Sequence, residues 1–192
     1  MFDSESESAE HALLARPGDL HPAASAFATS DAPRRPAPPQ THRVAASDPA
    51  ALVMTDFAAQ TPVLVTAERP IDEALRDMMV AGVRALLVAR GEKVVGLITS
   101  YDIQGERPLQ FLNSSNFTRH DEIQVGHIMT PWERVPMLEW NTVRTASVAD
   151  IAAHFRAHRA ITHIVVLERA AQGGSVVRGL FSRTRLERQL DA

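Results

Sequence analysis

From about Asp48 to the C-terminus, the hydrophobic positions follow two periods in turn, and the whole succession occurs twice. Ile71, Ala74, Leu75, Met78 and Met79 fall at helical spacing and give one apolar face, which predicts an amphipathic helix starting after Pro70. Proline suits a helix start, and Asp72 and Glu73 sit favourably against the positive end of the helix dipole. The stretch before it, "PVLVT" (62–66), reads as extended. After it come two unbroken apolar runs, "RALLVA" (84–89) and "KVVGLIT" (93–99), which predict short strands joined at a glycine turn. A second helix is expected from about Ser100. In the later copy Ser147 is placed to cap a helix, with Asp150 three residues on as its capping-box partner, and the final helix is expected from about Arg183.

The repetition holds residue by residue. "LVMTDF" (52–57) returns as "HIMTPW" (127–132), "IDEALRDMM" (71–79) as "VADIAAHFR" (148–156), "GVRALLVAR" (82–90) as "AITHIVVLE" (160–168), and "GLIT" (96–99) as "GLFS" (179–182). Four matches in one order make a tandem duplication. The unit is β-α-β-β-α, in the α/β (α+β) class. A sheet of about three strands with helices on one side leaves its other face bare, so two copies are expected to pack face to face as a pseudo-twofold pair. The organisation that follows is a tail over residues 1–46, a first repeat over 47–113, and an inter-repeat linker with the second repeat over 114–192.

Composition narrows the function classes. The 192 residues contain no cysteine, which removes disulfide frameworks, thiolate metal sites and cysteine nucleophiles. A net charge of −3 gives no general attraction to nucleic acid or to an anionic membrane. No stretch approaches the roughly 18 apolar residues of a membrane span, and "MFDSESESAE" is acidic where a signal peptide would be basic and apolar. A cytoplasmic protein is expected. Residues 1–46 are rich in Ala, Ser and Pro and end in "DAPRRPAPPQTHR", a composition that predicts a disordered leader. A proline-rich docking motif and a short helix at Glu10–Leu14 are the alternatives.

The "VMT" and "IMT" ahead of each repeat, the β-α-β-β-α order, and the strand ending Gly-apolar-apolar-Thr/Ser-x-x-Asp resemble the cystathionine-β-synthase (CBS) domain family. The tandem resembles a CBS pair, or Bateman module. The resemblance covers about residues 48–190. It implies a regulatory module, not an enzyme, that binds AMP, ADP, ATP or S-adenosylmethionine in clefts between the repeats and commonly dimerises. It further implies a site in which Thr99 helps hold phosphate and Asp102 grips the ribose, with Arg159, Ile161 and Thr162 of the other copy beside them. Val83, Arg84, Ala85, Ser182 and Arg185 are the corresponding residues of a possible second site.

The residue chemistry agrees with that assignment at one end and departs from it at the other. A carboxylate at a helix start can accept from both ribose hydroxyls, and helix-start N–H groups suit a phosphate. Gly96, with no Cβ, allows another backbone to approach. Thr99 and Asp102 also read as plain strand-end and capping residues. Arg185 stands where the first copy has Asp102, and arginine has no acceptor to offer a ribose. Two readings of it stand: an anion-binding corner with Arg178, Arg183 and Arg188, or an ordinary solvated face. His163 occupies a position where the family has an apolar residue.

Other constellations are weaker. His154 and His158 have the i, i+4 spacing of a metal pair, with His163 following, yet no third ligand accompanies them. No nucleophile elbow, P-loop or dinucleotide fingerprint occurs. Phe111 and Phe117 in the linker read as a lid or cross-brace, and Trp132 and Trp140 as core or interface residues. The expected function is a CBS pair that binds an adenosine nucleotide and signals occupancy to a partner protein, as a homodimer. The alternative is a constitutive dimerisation scaffold without nucleotide.

Overall fold

The computed structural model describes residues 43–117, 119–171 and 173–190. The leader, the docking motif and the short helix expected before residue 43 lie outside the described residues. The first copy contributes β2 (Leu64–Thr66), α1 (Ile71–Ala81), β3 (Ala85–Arg90), β4 (Lys93–Thr99), α2 (Ser100–Gln104) and α3 (Arg107–Ser114). The second contributes β6 (Met137–Glu139), α5 (Trp140–Thr145), α6 (Val148–Ala157), β7 (His163–Arg169), β8 (Ser175–Ser182) and α7 (Arg183–Leu190). Two-residue strands lead into each copy: β1 (Thr55–Asp56), and β5 (Thr130–Pro131) after the short helix α4 (Val125–Ile128).

The two sheets have four strands, one more than the repeat predicts, because each borrows the leading strand of the other copy. Their orders are β2-β3-β4-β5 and β1-β8-β7-β6. Within each, one parallel pair (β2 with β3, β6 with β7) follows from the helical crossover, and the remaining pairs are antiparallel. The borrowed strand explains two motifs at once. A Cβ on Gly96 would lie 2.7 Å from the Thr130 carbonyl oxygen and 2.8 Å from Met129 Sδ. On Gly179 it would lie 2.5 Å from the Thr55 carbonyl oxygen and 2.8 Å from Met54 Sδ. The glycine inside each apolar run and the Met-Thr pair ahead of the opposite repeat are therefore the two halves of one crossing.

The exchange extends beyond the strand. Ala50, Val53 and Met54 are buried with Val143, Ile151, Phe155, Ile164 and Phe181 of the second copy. Ile123, Val125 and Ile128 are buried with Ile71, Met78, Leu86 and Ile98 of the first. Backbone bonds tie the same segments: Ala50 N–H donates to Ala146 O at 2.9 Å, and Val125 N–H to Arg69 O at 2.8 Å. Upstream, Val44 N–H reaches Gln189 O at 3.1 Å.

The unbroken apolar strands follow from burial on both faces. Along β3, Leu86 and Val88 face the helices while Leu87 faces the other sheet; along β7, Ile164 and Val166 face the helices and Val165 the other sheet. Leu87, Leu97, Val135 and Val165, with Phe57, Trp132 and Leu180 around them, form the layer between the sheets. Each face-to-face burial of such a side chain contributes about 1.5–3 kcal/mol, which is how duplication supplies the missing half of the core. α1 stops at Gly82, whose left-handed φ of 66° closes the helix and turns the chain into β3.

Candidate functional site

The central strands β4 and β8 end in hydroxyls, Thr99 and Ser182, each followed at once by a helix. At the first end the predicted pair forms a closed capping box. Asp102 N–H donates to Thr99 Oγ1 at 3.2 Å, while Asp102 Oδ2 accepts from Thr99 N–H and Thr99 Oγ1–H, both at 2.8 Å. The other carboxylate oxygen, Oδ1, pairs with Arg107 Nη1 at 3.0 Å. That guanidinium also donates to Ile128 O at 2.8 Å and Thr130 Oγ1 at 3.2 Å. Both oxygens of Asp102 are thus engaged, and its side chain is only 12% exposed.

The residues expected opposite Asp102 are held by other partners. Among the described residues, no hydrogen bond or ion pair of Thr99 or Asp102 runs to Arg159, Ile161 or Thr162. The Arg183 guanidinium binds the loop that carries them, donating through Nη2 to Phe155 O (2.7 Å), His158 O (2.9 Å) and Ile161 O (2.7 Å), and lies over the Phe155 ring. It satisfies carbonyls at the end of α6. Ile161 packs into the second core, Arg159 is exposed, and Thr162 Oγ1 hydrogen-bonds His163 Nδ1 at 3.0 Å. The hydroxyls of Tyr101 and Thr184, one from each helix start, share a 3.0 Å hydrogen bond between the two ends.

The second end holds a cavity of about 420 Å³ between the copies, and it brings together all five residues expected there: Val83, Arg84, Ala85, Ser182 and Arg185. The loop after α1 forms one wall and the start of α7 the other. Val63, Leu87, Leu97 and Leu180 give it apolar surface, Phe57 an aromatic edge, and Gln60, Ser182 and Thr184 polar groups. Among the described residues, three guanidiniums line it, those of Arg84, Arg185 and Arg188, and no Asp or Glu does. Arg185 Nη1 donates to Thr55 Oγ1 at 2.8 Å. Among the described residues, none of the three has a carboxylate partner.

Several contributors to this cavity were hidden from sequence reasoning. Thr55, Phe57 and Gln60 come before the first β-α-β-β-α unit, and only the strand exchange carries them here; the recurrence of Met-Thr was the signal for it. His163 lines this cavity, whose lining does not include Asp102. It is 4% exposed, and burial pushes its pKa down to about 4, so it is neutral at pH 7.

The proposed arginine corner separates into different roles. Arg188 joins Arg185 in the cavity, and Arg183 holds the loop. Arg178 lies between Asp56 and Glu168, donating to Asp56 Oδ1 at 2.8 Å and Glu168 Oε2 at 3.0 Å, and stacks on Trp140. Its hydrogen bonds hold the Asp56 carboxyl below the usual range and raise Arg178 above its own. This network fastens the borrowed strand β1 to β8.

The remaining candidates are structural in their contacts. Phe111 stacks on His127 with ring centroids 4.6 Å apart, and Phe117 closes on both as a cross-brace. Trp132 packs against the layer between the sheets and Trp140 against the second core. His154 and His158 have rings 4.8 Å apart, and among the described residues no three His, Cys, Asp or Glu side chains gather to hold a metal. No helix of the described residues is long and apolar enough to cross a membrane.

Comparison with known proteins bears on this geometry. Residues 53–107 match the family profile of the CBS domain. No curated protein matches the chain. Among solved structures, a protein with CBS domains from Burkholderia ambifaria is similar over 68% of this chain and 83% of its own, at 24% identity and a TM-score of 0.50. A conserved protein from Pyrococcus horikoshii is similar over 76% of this chain and 93% of its own, at 23% identity and a TM-score of 0.52. At these identities the likeness is one of fold.

Proposed function

We propose a regulatory role for this chain, which contains a CBS domain and has the fold of a tandem CBS pair: it binds an adenosine-containing nucleotide between its repeats and passes occupancy to a protein partner. The observation that carries this reading is the cavity at the second end, walled by both copies, with an apolar floor and three guanidiniums that no lining carboxylate among the described residues compensates. Val83, Ala85 and Phe57 suit a base, and Ser182, Arg84 and Arg185 suit phosphate oxygens, which arginine forks bind in pairs. A ligand held by both walls has different affinity for open and closed arrangements of the repeats, and that difference is what shifts a population.

A second nucleotide position at Thr99 and Asp102, with Arg159, Ile161 and Thr162 opposite, requires Asp102 to release or share its contact with Arg107. The role is one of binding without chemistry, in the cytoplasm, in a homodimer. The alternative reading, a constitutive dimerisation scaffold, is favoured by exposed apolar side chains at the end of α1, where Met79, expected on the core face, is 73% and Val80 91% exposed.

Calorimetric titration with AMP, ADP, ATP and S-adenosylmethionine tests the reading on the wild type, Arg185→Ala and Asp102→Ala. Saturable binding that weakens more than about tenfold in Arg185→Ala is the expected result, since a lost charge-assisted contact costs about 1.5–3 kcal/mol. Absence of heat, with a melting temperature unmoved by every ligand, leaves the scaffold.

A further inference from the structure

The charge pattern of the same cavity narrows what enters it. Arg84 comes from the loop after α1 in the first copy, and Arg185 and Arg188 stand one turn apart on α7 of the second. The side chains of Arg84 and Arg188 make no hydrogen bond or ion pair among the described residues, and Arg185 makes only the one to Thr55. Like charges from opposite walls thus face a common space. A phosphate monoester carries about −1.5 to −2 at pH 7, too little to match three guanidiniums; a chain of phosphates carries more and spans from one wall to the other. A bound Mg²⁺ would cancel part of that charge. Among the described residues, the cavity also offers no carboxylate to complete the octahedral shell of the ion.

Resting on the nucleotide reading above, we propose that the Arg84–Arg185–Arg188 cavity selects a metal-free polyphosphate chain, favouring triphosphate over diphosphate over monophosphate. The base takes the apolar floor, and the phosphates take the mouth, where all three arginines are exposed. Metal chelation is then a determinant of occupancy, since free and Mg²⁺-bound triphosphates bind differently.

The test titrates the full chain with inorganic phosphate, pyrophosphate and tripolyphosphate, and with AMP and ATP, each in EDTA and in excess Mg²⁺. Tripolyphosphate is expected to bind at least about tenfold more tightly than phosphate, and to lose at least about tenfold in Mg²⁺. Arg188→Gln and Arg84→Gln, at exposed positions whose side chains make no hydrogen bond or ion pair among the described residues, are each expected to weaken tripolyphosphate by about tenfold with the melting temperature unchanged. Affinity that Mg²⁺ leaves unchanged or strengthens overturns the proposal, as does AMP binding as tightly as ATP, or no binding of tripolyphosphate. Tripolyphosphate that binds as expected but is not displaced by ATP refutes the nucleotide reading while the polyphosphate site stands.

Discussion

Asp102 and Arg185 occupy the same point in two copies of one unit, three residues past the hydroxyl that ends a central strand. Around Asp102, a capping box, a guanidinium and a backbone carbonyl close on one another, so charge is cancelled locally and little is left for an outside group. Around Arg185, the guanidinium leans on the Thr55 hydroxyl, has no acid beside it among the described residues, and faces an open cavity with two more of its kind. In both copies a guanidinium docks on the threonine of the borrowed strand: Arg107 on Thr130, Arg185 on Thr55. The difference lies in whether a carboxylate accompanies it. Duplication preserved the scaffold and let the two ends diverge, one toward internal closure and the other toward an anion.

Both ends share the same strand crossing, so changes there carry the largest expected effect. Gly179→Ala puts a Cβ 2.5 Å from a carbonyl oxygen and Gly96→Ala one at 2.7 Å. Each is expected to destabilise at or beyond the upper end of the ~1–3 kcal/mol typical of overpacking, with Gly179→Ala the worse, as read by urea unfolding. A harmless Gly179→Ala would mean that the borrowed strand is not held as described.

His163 marks the next difference, because its counterpart in the first copy is Ala85, which lines the same cavity and cannot titrate. Its folded pKa of about 4 lies below the reference value of 6.5. The unfolded chain therefore takes up the proton first as pH falls. The contribution is fully present above about pH 6.5 and is lost between 6.5 and 4, on the order of 3 kcal/mol in total. The slope of unfolding free energy against pH across that window is expected to be shallower in His163→Ala than in the wild type; equal slopes would contradict a buried neutral imidazole.

The two namesake positions should respond unequally in the unliganded protein. Asp102→Ala removes a capping partner and the acid beside Arg107, and is expected to cost about 1–2 kcal/mol. Arg185→Ala at an exposed position is expected to stay within about 0.5 kcal/mol. Thermal denaturation of both variants without ligand reads the contrast, and equal losses would dissolve the distinction between a closed end and an open one.

Much of this was visible in the chain because it depends on local patterns. The 3.6-residue period of α1, the Ser147–Asp150 box and the helix starts at Ser100 and Arg183 are set by neighbours within a few residues. The pairing of Val83, Arg84 and Ala85 with Ser182 and Arg185 was also legible, through internal repetition and family resemblance. Arg178 was misleading: in sequence it belongs with Arg183 and Arg185, but a strand bulge next to Leu167 and the arrival of Asp56 turn it into a brace.

By itself, then, the sequence determined the repeated unit, its two-faced strands and the residues at each strand end, since period, glycine placement and capping chemistry act over short distances. Only the tertiary structure decided which segment completes which sheet, that Arg107 neutralises Asp102, and that His163 and Thr55 meet Arg84 and Arg185 around one cavity. Those outcomes depend on contacts between residues as many as 130 apart, as Thr55 and Arg185 are. No local pattern encodes such a meeting; burial of both faces of both sheets selects it.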